Sequence, residues 1–335
     1  MRIQYKHTIL IGAFIFISFF VPQSQAYILD LKDASPYNAL IFGDMEASRS
    51  DTEGRLAVGG NITLDNYAVG LKLDSANNPY DTLIAGGELN FIDGHVYNGD
   101  ARSGLSANLT RVGFTGGEYI SGNTLDFATL EQQAKNNSAT WSNLTSNASA
   151  SLSNGQLYLY GDSATLNIFS ISATDLDPLF TNEFILEIPD NSWALINVAG
   201  ADISLSNLGF YRITSNGNTQ NTGDLFDHDG SLTQTVLFNL FEAETLKVNN
   251  VGVAGSILAP FATTTFYDAH IDGQLIASSL KGKAGETSGQ LNNYPFIPDT
   301  PLPSATNQTI PTPSLFMLLS VAGLLFLRFK IIAQK

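Results

Sequence analysis

The feature that most restricts the fold is a unit written several times in different residues. A short apolar run leads to a corner of small residues, and then to a run in which apolar and polar residues alternate. It appears as RLAVGGNITL (55–64), TLIAGGELNF (82–91), LINVAGADISL (195–205) and SILAPFATTTF (256–266), and QLIASSL (274–280) begins another. Alternation of period two marks a half-buried strand, so Ile62 and Leu64 are expected on one face and Asn61 and Thr63 on the other. Gly-Gly or Ala-Gly at the corner permits positive φ and a close approach of one coil to the next. Such a unit cannot bury its apolar face alone, so units must stack, and stacking makes an all-β solenoid. The units recur at irregular intervals, which leaves a β-sandwich, with turns every roughly 8–12 residues, as the rival architecture.

One stretch departs from this texture. NTLDFATLEQQAKNNSATWSNLTSN (123–147) sets Phe127, Leu130, Ala134, Trp141 and Leu144 at helical intervals, with Asp126 and Glu131 early. It predicts a single amphipathic helix over 125–146, packed along the side of the strands, with its aromatic stripe in the core.

Composition narrows the function classes. In 335 residues, 44% are hydrophobic, enough for a sizeable core, and only 14% are charged. Asn, Ser, Thr and Gly supply the polarity instead. A net charge of -15 argues against a nucleic-acid partner, which would want lysine and arginine on its binding face. The chain has no cysteine, which points to a prokaryotic export route and a core that needs no disulfides.

Both ends carry targeting patterns. Residues 1–26 place Arg2 and Lys6 before an apolar run from Ile9 to Val21, with Ser24 and Ala26 at a cleavage site, as in a secretory signal peptide. The body is expected over 27–297, a Pro/Ser/Thr-rich linker over 298–313, and a membrane anchor or sorting helix over 314–335. In that last segment the apolar run Leu315–Leu327 is followed by Arg328, Lys330 and Lys335, a stop-transfer arrangement.

The long motifs bring a resemblance. YNALIFGDMEASRSDTEGRLAVGGNITLDNYAVG (37–70), and GSILAPFATTTFYDAHIDGQLIASSL (255–280) with LNNYPF (291–296), resemble the opening and closing motifs of the choice-of-anchor A family of bacterial surface proteins. The closing motif is also similar to the end of ice-binding-like β-solenoid domains. The resemblance implies a right-handed β-helix flanked by one long α-helix, and an adhesive domain displayed outside the cell. The tail resembles the PEP-CTERM sorting signal of Gram-negative bacteria, with Thr312 where that signal has Glu.

Three constellations are candidates for chemistry. F-x-D-x-H occurs twice, as Phe91, Asp93, His95 and as Phe266, Asp268, His270. Residues two apart on a strand share a face, so each Asp-His pair is a candidate metal or proton site, and stacked coils would let the two pairs converge. In DLFDHDGS, Asp224, Asp227 and Asp229 cluster near Gly230, a pattern that suits Ca²⁺ but lacks the closing acidic ligand of an EF-hand. Thr263 and Thr265 alternate on one face of their strand and are the candidate ligand contacts.

The expected function is non-catalytic adhesion with no cofactor. A flat Thr/Asn/Ser-rich face would meet extracellular polysaccharide, matrix or another cell, and the C-terminal helix would meet the membrane. Ice binding is one alternative, and it requires threonines repeated over several coils. A β-helix polysaccharide lyase or hydrolase is another. It requires paired carboxylates with arginine or lysine in a groove, and neither a nucleophile elbow, a phosphate loop nor HExxH is present.

Overall fold

The alternating runs become strands of a parallel sheet that curls around one apolar interior, as a solenoid requires and a sandwich does not. The structure, a computed structural model, describes residues 29–74, 81–123, 125–224, 228 and 230–298. The predicted leader, nearly all of the linker and the C-terminal helix lie outside the described residues, as do Asp227 and Asp229. Among the described residues no helix is long and apolar enough to cross a membrane.

The N-terminal coils alternate short and long strands. They are β1 (Ala39–Ile41), β2 (Met45–Thr52), β3 (Leu56–Val58), β4 (Ile62–Val69), β5 (Leu83–Ala85), β6 (Leu89–Tyr97), β7 (Ala101–Ser103), β8 (Ala107–Thr115) and β9 (Tyr119–Ser121). Short strands pair in parallel with short ones, β1–β3–β5–β7–β9. Long strands pair with long ones, β2–β4–β6–β8. Period-two burial holds as expected: Ile62 and Leu64 are buried and Thr63 is exposed.

Each long strand bends once. Arg49, Asn66, Asp93 and Arg111 occupy equivalent positions on neighbouring coils and have φ of 56°, 50°, 52° and 57°. That left-handed conformation is tolerated best by Asn and Asp among non-glycine residues. The bend swings the second half of the strand onto a third wall. The corner glycines have a different reason. A Cβ on Gly86 would stand 2.2 Å from the Gly59 carbonyl oxygen, and one on Gly104 equally close to that of Gly86. These glycines admit backbone against backbone, and of the corners expected to take positive φ the Ala-Gly one does, at Gly200 with φ 129°, whereas Gly59 and Gly86 do not.

Helix α1 (Phe127–Ser142) is shorter at both ends than the predicted span. Asp126 caps it by accepting from the Thr129 amide, and the helix ends at Asn143. Leu130, Ala134 and Trp141 pack on the outer side of the short-strand wall, against Leu40, Ala57, Ile84, Leu195, Leu237, Leu258 and Ile276. Each leucine buried there contributes roughly 1.5–3 kcal/mol. Two polar contacts cross this interface: Ser138 Oγ donates to Asn239 Oδ1 at 2.6 Å, and Asn197 Nδ2 to the Trp141 carbonyl at 2.9 Å.

Sixteen helical residues cover roughly 24 Å, about five of the strand steps that separate β9 from the other end of the stack, and the segments on either side of the helix complete the chain's return along it. There follow β10 (Ser149–Ser153), β11 (Gln156–Tyr160), β12 (Leu166–Ser172), β13 (Glu183–Glu187), β14 (Trp193–Ala199), β15 (Asp202–Ser206), β16 (Gly209–Ile213) and β17 (Thr219–Asn221). The last strands are β18 (Val236–Asn239), β19 (Thr245–Asn249), β20 (Gly252–Ala254), β21 (Ser256–Tyr267), β22 (His270–Asp272), β23 (Leu275–Lys281) and β24 (Gln290–Asn292). Strands β10, β11, β13, β16 and β17 form a second sheet. The others extend three walls: β12–β14–β18–β21–β23 under the helix, β15–β19–β21–β23 beside it, and β20–β22–β24 on the third side.

The final coil then accepts the first. β23 pairs with β1 and β2, and Leu291 of β24 pairs with Thr52 of β2. The order of coils in space is therefore not their order in sequence. Insertions explain the irregular repeat. Asp100 and Glu118 on successive coils are 18 residues apart, whereas Asp202 and its neighbour Thr245 are 43 apart.

Candidate binding face

Thr263 and Thr265 share the outer side of β21, and Thr264 between them is fully buried. The parallel register extends their rows across the neighbouring strands. Thr245, Thr263 and Ser279 are in line, as are Lys247, Thr265, Lys281 and Glu46. The second row continues through Thr63, Asn90 and Asn108 on the N-terminal coils. Side chains in such a row recur at about 4.8 Å, on a backbone whose hydrogen bonds are already made.

At its C-terminal end the face is slightly hollow. A depression of about 370 Å³ is lined by Thr245, Lys247, Thr263, Thr265, Tyr267, Lys281 and Lys283. The Lys283 ammonium lies 4.7 Å from the Tyr267 ring centroid and 3.7 Å from Glu286 Oε1. Thr245 Oγ1 donates to Asp202 Oδ1 at 2.6 Å. Lys247 and Lys281 make no ion pair among the described residues. A chain of net charge -15 thus gathers three lysines around one shallow hollow. The hydroxyls offer donors and acceptors and the lysines offer positive charge, a combination that suits hydroxyl-rich or anionic ligands.

The two F-x-D-x-H stretches do not converge. Strand β6 is four strand steps from β21 through β4, β2 and β23, roughly 19 Å. Asp93 is taken by Arg111, whose guanidinium donates to both carboxylate oxygens and holds Asp93 below the usual carboxylate range. His95 Nε2 lies 2.9 Å from Thr115 Oγ1, and its ring stacks on Tyr97 at 4.1 Å. Asp268 is exposed at a bend with φ 46°. Because Asp93 and Asp268 are themselves bend residues, the simple alternation that would aim each toward its histidine is interrupted there.

His270 has other company. It is 4% exposed and meets His228 and Asp272, which together form the one group of three metal-ligand side chains among the described residues. Burial, opposed by Asp272, lowers its pKa and keeps the ring neutral. Asp224 is described and acts on His270 electrostatically.

Sequence reasoning missed Lys247, Lys281 and Thr245 as neighbours of Thr263 and Thr265, and missed His228 and Asp272 as neighbours of His270. Both omissions share a cause: the residues meet through strand register or a long connection, and no local spacing announces it.

Among solved structures, the chain is similar to an ice-binding protein from the Antarctic ascomycete Antarctomyces psychrotrophicus, at 13% identity and a TM-score of 0.39, covering 79% of this chain and 97% of that one. It is also similar to an ice-binding protein from an Antarctic biological consortium, at 10% identity and a TM-score of 0.37, covering 79% and 92%. A third, from an Antarctic bacterium of the Flavobacteriaceae, aligns at 10% identity and a TM-score of 0.28, covering 75% and 60%. No curated protein matches the sequence. One family's sequence model, however, runs through nearly every coil described above, and by that match over residues 30–290 the chain belongs to the ice-binding-like adhesive domain family.

Proposed function

We propose that the chain is an exported, surface-associated adhesin without catalytic activity, and that the face around Thr263 and Thr265 holds anionic extracellular polysaccharide. The observation that carries this reading is the row Lys247–Thr265–Lys281, in which charge and hydroxyl alternate across adjacent strands beside Thr263. A strand wall is preorganised, so little ordering entropy is lost on binding, and weak contacts to a repeating polymer add along it. The leader pattern at 1–26 and the apolar tail at 314–335 support export and attachment at a membrane. The adhesive character of the family agrees with this. Ice is the less suited ligand, because Lys247, Lys281 and Glu46 interrupt the threonines with strongly hydrated charges.

The test is binding of the purified full chain to immobilised acidic and neutral polysaccharides at low and raised salt. Acidic polymers are expected to bind and to weaken with salt. The double variant Lys247→Glu/Lys281→Glu is expected to lose about tenfold in affinity, and Thr263→Ala/Thr265→Ala a smaller factor. Equal binding by all variants removes this face from the reading. Inhibition of ice recrystallisation without glycan binding selects the ice alternative, and turnover of a glycan selects the enzyme.

A further inference from the structure

On the third wall, away from the threonine face, a buried polar cluster is left incompletely paired. His228, from the connection between β17 and β18, approaches Asp272 on β22, with Nδ1 3.1 Å from Oδ1 and 3.3 Å from Oδ2. The same Oδ1 lies 3.8 Å from His270 Nε2 and accepts a hydrogen bond from Asn292 Nδ2 at 2.5 Å. Asp272, His270 and Asn292 are 0%, 4% and 1% exposed. His270 Nε2 and Asn292 Oδ1 have no hydrogen-bond partner.

Protons alone do not satisfy this set. At 3.8 Å His270 Nε2 is too far to donate to Asp272. Asn292 Nδ2 is also 3.1 Å from His228 Nδ1, so if that nitrogen carries a proton for Asp272, two donors face each other there. A buried carboxylate beside two imidazoles, one of them unpaired, is costly unless a cation joins them.

We propose that His228 Nδ1, His270 Nε2 and Asp272 bind one divalent transition-metal ion of the zinc type. Two imidazoles and a carboxylate are a ligand set that such ions favour. The three ligand atoms lie within 4.8 Å of one another. Tetrahedral zinc ligands stand ~3.4 Å apart, so a side-chain shift of roughly 1 Å closes the site. Asn292, donating to Asp272, orients the carboxylate from outside.

Two glycines keep side chains away from this cluster. A Cβ on Gly252 would stand 2.5 Å from His270 Nε2, so any larger residue there would crowd that nitrogen. Tyr294 Oη donates to the His228 carbonyl at 2.7 Å, and its ring lies where a side chain at Gly230 would have to be. His228 is thereby held over the strands. The ion would clip the β17–β18 connection to the last coils, where the chain's two stacks meet, and this role is independent of what the outer face binds.

The experiment uses the purified full chain, free of a histidine tag and stripped with chelator. Calorimetric titration with Zn²⁺ is expected to give one ion per chain, and Co²⁺ to give the visible absorption of a four-coordinate site that Zn²⁺ then bleaches. His228→Ala, on a partly exposed connection, is expected to keep the chelated protein's thermal transition and lose at least ~10-fold in Zn²⁺ affinity. Asp272→Asn provides a second loss of affinity, and His95→Ala is expected to bind as the unaltered chain does. No stoichiometric Zn²⁺ or Co²⁺ uptake, or equal affinity in His228→Ala, overturns the site.

Discussion

The stretches Phe91–His95 and Phe266–His270 have one spacing and opposite surroundings. Their phenylalanines and aspartates behave alike. Phe91 and Phe266 are fully buried, and Asp93 and Asp268 form left-handed bends with φ of 52° and 46°. Each histidine lies across a glycine of the adjoining strand, Gly113 for His95 and Gly252 for His270. There the likeness ends. His95 is half-exposed, with Thr115 and Tyr97 beside it. His270 is buried, edge-on to His228 at 4.7 Å between ring centroids. The pattern therefore encodes a turn in the coil: an apolar anchor, a bend, and a ring over a glycine. What the histidine can do is set by whether another part of the chain covers it.

The largest expected effect tests the likeness. Phe91→Ala and Phe266→Ala should each destabilise the chain by about 3–5 kcal/mol in chemical denaturation, because each empties a fully buried ring site. A cost confined to one of them would break the equivalence of the two turns.

The bends come next. Asp268→Val should cost about 1–2 kcal/mol by the same measurement, and Asp268→Gly much less, since a β-branched residue strains the left-handed conformation and glycine does not. Equal cost for both would mean that the carboxylate matters at this bend and φ does not.

A smaller effect lies on the row that joins the two histidines. Gln290 is paired with His270, Ala68 with His95, and Asp51 sits between them. Burial, reinforced by Glu53, pushes the Asp51 carboxyl up to about 6 from its ordinary 3.8. The folded chain then binds the proton more tightly than the unfolded one, so this group's contribution to stability falls as pH rises from about 4 to about 6. Asp51→Asn should remove that slope. At pH 7 it should raise stability by on the order of 1 kcal/mol, a figure discounted for the group's partial exposure. An unchanged slope in denaturation across pH 4–7 would show that Asp51 does not titrate in this window.

The smallest effect is a null. Arg111→Ala removes the exposed ion pair with Asp93 and should leave the melting temperature unchanged within error, at low and high salt. A clear drop would mean that the first turn, unlike the second, depends on charge.

Much of the architecture was legible in the residues. Alternation placed Ile62 and Leu64 inward, and helical spacing found Leu130, Ala134 and Trp141 on the packed side of α1. The corner glycines divide: Gly59 and Gly86 serve backbone contact, Gly200 takes the expected positive φ of 129°, and a left-handed φ also falls on Arg49, Asn66, Asp93 and Arg111. A side chain such as arginine at a bend gives no local hint of that conformation. The candidate face was half legible. Thr263 and Thr265 follow from alternation, whereas Lys281 follows only from knowing that β21 pairs with β23.

Read alone, the chain determined which residues form strands, which side of each is apolar and where a single helix runs, because these depend on periodicities of a few residues. Its tertiary structure decided that the first coil seats on the last, that lysines flank the threonines, and that His228 reaches His270. Those outcomes depend on parallel pairings and a long connection between distant segments, which are chosen by the burial of the whole interior and leave no trace in any short window.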